Sequence, residues 1–394
     1  MQLILFDDHS WENLLPLTFT RPVADLRVGI LTIAEKWAKH LESTTPAYLT
    51  QKHLSGKFPF IAGTDNLLIN GSLLPGEALV NVLRTLQKGD SLKKGDLLLG
   101  FRTGASEAKK FNLQKWMDSA DEFSGEVFMI DFPWKIFQLN GQEIGADLEL
   151  ITAGRKSGRL SDTVRVISPE NIFIEPGFRG EHITLNASTG PIYLGPNSEI
   201  MEGSVIRGPF ALCEGSTVKL AAKVYGPTTI GPYSKIGGEV NNCVIHSNSN
   251  KGHDGFLGNS VLGEWCNLGA DTNNSNLKNN YAEVKVWNYP KERFIKSGLQ
   301  FCGLIMGDHS KCGINTMFNT GTVVGVAANI FGSGFPRTFI PSFSWGGAAG
   351  MTTNQMNKVL ETASLVMARR GQQLTKMDES ILNWVFNYSE KFRK

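Results

Sequence analysis

The segment LGPNSEIMEGSVIRGPFALCEGSTVKLAAKVYGPTTIGPYSKI, residues 194–236, carries an apolar residue at every sixth position. The series consists of Leu194, Ile200, Ile206, Leu212, Val218, Val224, Ile230 and Ile236. A period of six fits neither the turn of an α-helix, about 3.6 residues, nor the alternation of an ordinary strand. It fits a parallel β-helix, in which each six-residue side of a coil points one apolar residue inward.

The repeat continues beyond this segment. After a step of eight residues it resumes at Val244, and it returns after a gap between residues 268 and 306. The later members are Val244, Phe256, Leu262, Leu268, Met306, Cys312, Phe318, Val324 and Ile330, with polar Asn250 at one place. Seventeen apolar residues at eighteen places argue against the alternative of chance spacing in a glycine-rich run. We therefore predict a left-handed parallel β-helix of hexapeptide repeats.

Composition excludes several classes of protein. The chain has 394 residues and a net charge of +2, so no large basic field indicates nucleic-acid binding. The five cysteines (Cys213, Cys243, Cys266, Cys302 and Cys312) form no CxxC pair, which is typical of a reduced compartment. Acidic residues follow the first apolar strand where a signal peptide would be basic, and no apolar run reaches about eighteen residues. We expect a soluble, cytoplasmic protein without nucleic-acid or membrane partners.

Residues 1–155 show a different pattern, in which short apolar strands alternate with helices. The predicted strands are Gln2–Phe6, Leu67–Ile69, Leu97–Phe101 and Phe128–Phe132, and the predicted helices are Ile30–Leu41 and Ala78–Leu86. This alternation predicts an α/β domain with a mainly parallel sheet. Ligands of such sheets bind beyond the carboxyl ends of the strands. Asp7, Asp8, Asn70 and Ser72 follow predicted strands and are therefore candidate nucleotide-binding residues.

The segment LLPLTFTRPVADLRVG, residues 14–29, connects the first strand to the first helix. It contains Thr18, Thr20, Arg21 and Arg27 in a proline-containing loop, which can present hydroxyl, guanidinium and backbone donors to phosphates. A plain connecting loop with solvated arginines is the equal alternative. The segment contains no GxxxxGK[ST] and no GxGxxG, which excludes P-loop and Rossmann sites.

The rest of the chain divides by pattern. We assign 156–190 to a bridging segment, 191–345 to the β-helix with an insertion at about 277–300, and 346–394 to a helical tail. The tail contains two predicted helices, at about 355–370 and 377–392.

The segment KGHDGFLGNSVLGEWCNLGADTNNSN, residues 251–276, is chemically the most informative. His253 lies between Gly252 and Gly255, and Asn267 and Asn276 follow at coil positions. Because coils stack, residues on one face of successive turns converge. A neutral imidazole in such a setting can take a proton from an attacking amine or hydroxyl. A lone histidine is more often structural, and we assign His246 and His309 to that role.

These residues resemble the acetyltransferase site of the bifunctional enzymes that make UDP-N-acetylglucosamine. The motif of that family, roughly KAGHxxYLGDxxIGxxxNIGAGTxxxN, matches residues 251–276 without a gap. The resemblance implies that His253 is the catalytic base and that Ala270 lies near the thiol of acetyl-coenzyme A. It also implies that Lys251, Asn267 and Asn276 belong to the acceptor-sugar site.

The segment departs from the family motif at three positions. Phe256 replaces a tyrosine and so lacks one hydroxyl contact to the sugar, and Asp271 replaces a glycine. Asn241 occupies the place of a lysine that contacts the sugar phosphate. Phe256 and Asn241 are thus candidate acceptor-binding residues at which the choice of sugar is made.

The N-terminal part is similar to the sugar-1-phosphate nucleotidyltransferase domain of the same enzymes. Its glycine-rich opening is absent, and LTFTRPVADLRVG resembles a divergent branch, in which Arg21 stands near the usual lysine. INGSLLP resembles the family's NGDxPL, but Ser72 replaces the metal-binding aspartate. Asn140 or Asp147 is then a candidate replacement metal ligand.

The resemblance implies two reactions of sugar-nucleotide biosynthesis. One transfers acetyl from acetyl-coenzyme A to the amine of a hexosamine 1-phosphate. The other transfers a nucleotidyl group from UTP or dTTP to a sugar 1-phosphate, with Mg²⁺ and release of pyrophosphate. The family also implies a homotrimer. Two alternatives stay open: only one half is active, or the chain is a non-catalytic scaffold that binds sugar nucleotides.

Overall fold

The computed structural model describes residues 1–43 and 45–393. The chain forms two compact units. The first contains residues 1–14, 21–26 and 31–132, and the second contains residues 15–20, 27–30 and 133–394.

The first unit is built on a six-stranded sheet with the order β2-β1-β3-β5-β4-β6. Its strands are β1 (Gln2–Phe6), β2 (Ala47–Leu49), β3 (Asn66–Asn70), β4 (Ser91–Lys94), β5 (Leu97–Thr103) and β6 (Asp121–Glu122). β1 runs parallel to β2 and β3, and β4 runs parallel to β6, whereas β5 is antiparallel to both β3 and β4. Three of the five strand pairings are thus parallel, as predicted, and two are antiparallel. The two-residue connection between β4 and β5, in which Gly95 has a φ of +55°, forces the antiparallel pairing.

Short helices accompany this sheet: α1 (Ser10–Asn13), α2 (Ile33–His40), α3 (Glu77–Thr85), α4 (Ala105–Ala108) and α5 (Leu113–Asp118), with a 3₁₀ turn at Val23–Asp25. α2 begins later than predicted because Thr32 forms a capping box. Its hydroxyl accepts from the Glu35 amide at 3.2 Å, and its own amide donates to the Glu35 carboxylate at 2.7 Å. The strand predicted at 128–132 is wrong, since only a single bridge joins Met129 to Leu73 there.

The second unit contains a parallel β-helix with three coil sheets, which confirms the predicted fold class. The first coil sheet contains Arg165–Ile167, Thr184–Asn186, Val205–Arg207, Lys223–Tyr225, Glu239–Asn241 and Phe256–Gly258. The second contains Ile172–Ile174, Ile192–Leu194, Phe210–Leu212, Thr228–Ile230, Val244–Ile245, Val261–Leu262, Ile305–Met306, Val323–Val324 and Phe339–Ile340. The third contains Arg179–Gly180, Glu199–Ile200, Thr217–Val218, Lys235–Ile236, Asn250–Lys251, Asn267–Leu268, Lys311–Cys312, Asn329–Ile330, Ser344–Gly347 and Gly350–Thr353.

The coils begin upstream of the predicted start. Arg165–Ile167 and Ile172–Ile174, placed in the bridging segment by sequence, pair in parallel with the next strands of the first and second coil sheets. Residues 165–186 therefore belong to the β-helix. Their turns contain proline and glutamate, which hid the repeat.

The predicted inward series from Leu194 to Ile236 is confirmed, because its eight side chains are at most 1 % exposed. Between residues 240 and 257 the series was wrong by one position. Strand pairing aligns Ile230 with Ile245, Ile236 with Lys251 and Val240 with Leu257. Val240 follows Ile236 by four residues and Ile245 follows Val240 by five, so two shortened sides shift the register.

Helices and a hairpin complete the second unit: α6 (Pro133–Thr152), α7 (Met356–Ala368), α8 (Lys376–Tyr388), 3₁₀ turns at Pro169–Asn171 and Ser389–Phe392, and an antiparallel hairpin of Lys285–Asn288 and Arg293–Lys296. The hairpin lies inside the predicted insertion. Asn273–Asn274 pairs with Met317–Phe318 in a further two-stranded sheet. Across residues 1–43 and 45–393, no helix combines the length and apolarity that a membrane span requires.

Candidate functional site

A cleft of about 720 Å³ lies over the outer face of the third coil sheet. It is lined by Lys219, Lys235, Asn248, Asn250, Gly252, His253, Trp265, Cys266, Asn267, Leu268, Gly269, Ala270, Lys311, Ile314, Val366, Arg369 and Arg370. Strand pairing stacks outward-facing Lys235, Asn250, Asn267 and Lys311 in one row. Polar groups from successive coils thus converge on one side of the β-helix.

The structure brings three predicted acetyl-transfer residues together in this cleft. His253, Asn267 and Ala270 all line it, and His253 is exposed in the turn after the strand Asn250–Lys251. An exposed imidazole beside an amide side chain can bind a polar substrate and exchange a proton with it. The position is consistent with the role that the motif implies for His253.

Lys251 does not line the cleft. It replaces an apolar residue in the row that contains Ile236, is 1 % exposed, and lies in the coil interior. Its Nζ donates to the carbonyl oxygens of His253 at 2.6 Å and Asp254 at 3.1 Å. Burial lowers the pKa of Lys251 to about 8. The sequence-based assignment of Lys251 to the acceptor sugar is therefore wrong: the buried ammonium group holds the turn that carries His253.

The remaining acceptor candidates surround Gly258 and do not line the His253 cleft. Asn241 pairs with Gly258 in the first coil sheet. A Cβ at Gly258 would lie 2.5 Å from Phe256 Cζ and 2.7 Å from Asn276 Nδ2, so both side chains pack on this glycine. Asn276 Nδ2 also donates to Asn259 Oδ1 at 2.8 Å. Within one chain, the predicted site residues thus form two groups.

Sequence reasoning missed the cationic residues of the cleft. Lys235 lies in the third coil sheet, Lys219 directly follows its strand Thr217–Val218, and Arg369 and Arg370 follow α7. Arg370 Nη2 donates to Asn250 Oδ1 at 3.0 Å, which explains a polar residue at that outward position. The only available signal was the adjacent arginine pair at the end of a predicted helix.

A second candidate site lies at the carboxyl ends of β1 and β3. These strands are parallel neighbours, and Asp8 Oδ2 accepts from Asn70 Nδ2 at 2.8 Å. Asn70 Oδ1 in turn accepts from the Ser72 hydroxyl at 2.7 Å and from its amide at 3.0 Å. Asp8, Asn70 and Ser72 thus meet at one edge of the sheet.

Asp7 lies at the same edge. Its carboxylate accepts from the Val23 amide at 2.9 Å and from the Thr50 hydroxyl at 2.5 Å. Burial raises the pKa of Asp7 to about 7, despite these two donors. Asp7 and Asp8 therefore place two carboxyl groups at the end of β1, and the charge of Asp8 contributes to the raised pKa of Asp7.

The predicted phosphate-binding residues of segment 14–29 are buried. Thr18, Arg21 and Arg27 are 0 %, 4 % and 7 % exposed, which excludes the alternative of solvated arginines. In the first unit, the Arg21 guanidinium lies 3.9 Å from the Asp25 carboxylate. In the second unit, the Arg27 amide donates to His246 Nε2 at 3.2 Å, which gives His246 a structural role.

Asn140 and Asp147 have a different role from the predicted one. Asn140 Oδ1 accepts from the Gly29 amide at 2.8 Å and from the Thr229 hydroxyl at 3.0 Å, and Asp147 Oδ2 accepts from the Ile30 amide at 2.7 Å. A Cβ at Gly29 would lie 2.5 Å from Asp147 Oδ2, so only glycine fits there. These α6 side chains hold segment 27–30 in the second unit, a structural role that differs from the predicted one as metal ligands.

Among the residues that the structure describes, no three His, Cys, Asp or Glu side chains converge in a metal-binding cluster. Mg²⁺, however, is usually held by one or two carboxylates together with substrate phosphates. The Asp7–Asp8 pair fits that requirement.

Fold and sites together define a two-part protein, in which an α/β unit with acidic strand ends is followed by a parallel β-helix with a histidine-containing cleft. Residues 3–156 match the model of a family described as sugar nucleotidyl transferase. The chain is 27% identical over 212 residues to a bifunctional sugar-1-phosphate nucleotidylyltransferase/acetyltransferase of Sulfurisphaera tokodaii, covering 53% of this chain and 46% of that protein. It is 37% identical over 87 residues to the bifunctional protein GlmU of Methanocaldococcus jannaschii, covering 22% of this chain and 21% of that protein. These matches confirm the resemblance to the bifunctional family.

The alignments span less than half of the length of these two relatives. Among solved structures, a UDP-N-acetylglucosamine acyltransferase of Francisella novicida is 12% identical. The match covers 59% of this chain and 76% of that chain, with a TM-score of 0.32. The β-helix assignment rests on the strand pairing of this chain.

Proposed function

We propose that the chain is a bifunctional transferase of sugar-nucleotide biosynthesis. The β-helix transfers acetyl from acetyl-coenzyme A to the amine of a hexosamine 1-phosphate. The N-terminal unit transfers a nucleotidyl group from UTP or dTTP to a sugar 1-phosphate and releases pyrophosphate. The observation that carries the proposal is the convergence of His253, Asn267 and Ala270 in one cleft, at positions that match an acetyltransferase motif.

In acetyl transfer, the amine nitrogen attacks the thioester carbonyl and His253 accepts the proton that the nitrogen loses. The tetrahedral intermediate then expels the thiolate of coenzyme A. Lys251 supports this step indirectly, because its hydrogen bonds to the carbonyls of His253 and Asp254 fix the turn that holds the imidazole. Asn267 supplies amide contacts to a substrate in the same cleft.

In nucleotidyl transfer, a phosphate oxygen of the sugar 1-phosphate attacks the α-phosphorus and pyrophosphate leaves. Asp7 and Asp8 are the residues that would hold Mg²⁺, which neutralises phosphate charge when bound. Asn70 and Ser72 orient Asp8 through the hydrogen-bond chain at the ends of β1 and β3. Because the pKa of Asp7 is about 7, the site gains negative charge as the pH rises through neutrality.

The acetyl-transfer assignment is tested by His253→Ala. We expect acetyl transfer to fall by about 10²–10⁴-fold, the usual contribution of a general base, with pyrophosphate release unchanged. His182→Ala removes an exposed histidine at another coil turn and should change neither rate. Equal acetyl transfer by His253→Ala and the parent protein would refute the role of His253.

The nucleotidyl-transfer assignment is tested by screening pyrophosphate release with UTP and dTTP against several sugar 1-phosphates. We expect activity that requires Mg²⁺, is lost in Asp8→Asn, and falls as the pH drops through about 7 because Asp7 is then protonated. Asp121→Asn, at the exposed edge strand β6, is the matched control. Absence of pyrophosphate release with every substrate pair would favour a non-catalytic N-terminal scaffold. Acetyl transfer without pyrophosphate release would favour the alternative of a single active half.

We further propose a cytoplasmic homotrimer. Each of the five cysteines is buried and forms no disulfide with a described residue, as suits a reducing compartment. A trimer brings the coils of neighbouring chains together, which would let the His253 group of one chain and the Asn241, Phe256 and Asn276 group of another form one acceptor site.

A further inference from the structure

Three asparagines of the second unit form a chain of side-chain hydrogen bonds beside the second group of acceptor candidates. Asn242 directly follows the strand Glu239–Asn241, Asn259 directly follows the strand Phe256–Gly258, and Asn276 lies in the next coil. The two strands are neighbours in the first coil sheet, so the three side chains stack along the coils. We refer to Asn242, Asn259 and Asn276 as the asparagine relay.

Two backbone carbonyls fix the direction of the relay. One end of the Asn242 carboxamide lies 3.2 Å from the Phe137 carbonyl oxygen of α6 and 3.3 Å from the Pro227 carbonyl oxygen. Because a carbonyl oxygen only accepts hydrogen bonds, this end of the side chain is the NH₂ group. Asn242 Oδ1 then accepts from Asn259 Nδ2 at 2.8 Å. Asn259 Oδ1 in turn accepts from Asn276 Nδ2 at 2.8 Å.

This direction leaves one acceptor at the outer end of the relay. Asn276 is half-buried, and its Oδ1 accepts no hydrogen bond from the part of the chain that the structure describes. The reversed orientation of Asn276 would set two oxygens against each other at the contact with Asn259. The relay therefore ends in a side-chain oxygen that is held in place from behind.

The outer end of the relay lies among the acceptor candidates. A Cβ at Gly258 would lie 2.7 Å from Asn276 Nδ2 and 2.5 Å from Phe256 Cζ. The backbone amide of Asn259 donates to the Asn241 carbonyl at 2.9 Å. Asn259 thus contacts two of the three candidates, although it is only 8% exposed itself. A side chain buried in this way acts on a ligand through its neighbours.

We propose that Asn259 is a positioning residue, which holds the side-chain oxygen of Asn276 towards the acceptor sugar so that it accepts a hydrogen bond from the sugar. An amine or a hydroxyl supplies such a donor, whereas a phosphate dianion has none. The proposal therefore assigns Asn276 to the sugar ring and not to the phosphate of the acceptor. It rests on the proposed acetyl transfer, in which a hexosamine 1-phosphate is the acceptor.

Two variants of Asn259 separate its positioning role from its contribution to stability. Asn259 has a φ of +47°, which glycine adopts without strain, so Asn259→Gly removes the side chain and keeps the turn. We expect its affinity for glucosamine 1-phosphate to fall by about tenfold, as the loss of one oriented hydrogen bond predicts. Asn259→Asp keeps an oxygen opposite Asn276 Nδ2 and loses only the donor to Asn242. It should lower the thermal stability and retain the affinity.

Asn276→Ala removes the proposed sugar contact itself and should show the same tenfold loss as Asn259→Gly. Asn197→Gly is the matched control, because Asn197 has a similar φ of +53° in the coil turn after the strand Ile192–Leu194. It should leave the affinity unchanged. The measurement is calorimetry of the full chain with glucosamine 1-phosphate, glucosamine and coenzyme A as separate probes.

The three probes locate the lost contact. Asn259→Gly and Asn276→Ala should weaken glucosamine and glucosamine 1-phosphate by the same factor and leave coenzyme A unchanged. A loss confined to the phosphorylated sugar would overturn the proposal, because Asn276 would then contact the phosphate. Equal affinities in the parent protein and both variants would overturn it too, and so would an equal loss in Asn259→Gly and Asn259→Asp, which indicates a structural role alone.

Binding is measured without turnover, so the positioning role and the proposed reaction fail separately. A parent protein that binds glucosamine 1-phosphate, responds to Asn259→Gly as expected and forms no acetylated product would refute acetyl transfer and leave the relay standing. Acetyl transfer with the same KM for glucosamine 1-phosphate in the parent protein and in Asn259→Gly would overturn the relay alone.

Discussion

Lys251 is the residue whose environment departs most from its chemical type. An ammonium group in a row of apolar side chains loses its hydration. Hydrogen bonds to two backbone carbonyls offset only part of the resulting desolvation free energy. The carbonyls belong to His253 and Asp254, so the ammonium group of Lys251 fixes the backbone of the turn that carries the candidate catalytic histidine. The uncompensated part of this desolvation lowers the pKa of Lys251 to about 8.

Stability should therefore depend on pH through Lys251. Between pH 8 and the ordinary lysine pKa of 10.5, the unfolded chain binds the proton that the folded chain has released, so the free energy of unfolding rises with pH. The gain, up to about 3 kcal/mol at high pH, is lost as the pH falls through 8. Lys251→Met lacks this dependence, and urea unfolding of both proteins at pH 7.5 and 9.5 measures the difference.

Lys251→Met should also reduce acetyl transfer, because the carbonyls of His253 and Asp254 lose their donor. Lys311→Met is the comparison, since Lys311 also donates to a backbone carbonyl, that of His309, but lines the cleft and not the coil interior. A stability difference between parent and Lys251→Met that is the same at both pH values would contradict the assigned titration.

At the scale of elements, the segment 15–20 is attached to the second unit by an aromatic cluster. Phe19 is fully buried, with ring centroids 5.3 Å from Tyr289 and 5.6 Å from Tyr388. Thr20 next to it donates to Asp308 Oδ2 at 2.7 Å, and Asp308 Oδ1 accepts from the Glu264 amide at 2.8 Å. The hairpin insertion, α8 and a loop near the N-terminus thus share one core.

Phe19→Ala should lower the free energy of unfolding of the second unit by about 3–5 kcal/mol, the usual cost of deleting a buried aromatic ring. Phe19→Leu should cost clearly less because it leaves a smaller cavity. Thermal unfolding monitored by tryptophan fluorescence gives the comparison. Tyr281→Ala, at a side chain 64% exposed, should not move the transition, and an equally small shift for Phe19→Ala would exclude the cluster as a source of stability.

The elements were predictable where one local pattern decided them. The hexapeptide series located the coils because each inward side chain packs in the same apolar interior and must therefore be apolar itself. The one-residue shift of register between 240 and 257 was not predictable. Sides of four or five residues have the same composition as sides of six, and a lysine such as Lys251 is not expected at an inward position. The pairing of Asp8 with Asn70 followed from parallel strands, whereas the positions of Asn140 and Asp147 depended on α6, whose partners are distant in sequence.

In the C-terminal tail, the helices were predictable from sequence but their contacts with the coils were not. Its two helices were predicted from apolar spacing, and the structure places them at Met356–Ala368 and Lys376–Tyr388. Nothing local indicated that Arg370 would reach Asn250, 120 residues away in sequence. Long-range contacts of this kind complete the candidate site. They follow no local periodicity or motif, so a single sequence does not predict them.

For the whole molecule, the proposed homotrimer accounts for apolar side chains that the second unit leaves exposed. Leu220, Ile314, Phe335 and Leu365 are 62%, 69%, 53% and 64% exposed. An interface between chains would remove them from water. Ile314 is also part of the His253 cleft, so a neighbouring chain that covers it would border the site.

Sedimentation equilibrium should accordingly give about three times the chain mass of 43.2 kDa. Ile314→Asp should shift the distribution towards the single-chain mass, because a carboxylate buried between chains loses its hydration. Acetyl transfer should fall with it, while pyrophosphate release by the N-terminal unit persists. Leu113→Asp, at an exposed leucine of α5 in the first unit, should leave the mass unchanged. A parent protein that sediments as a single chain and still transfers acetyl would refute the trimer and require both groups of acceptor residues to act within one coil.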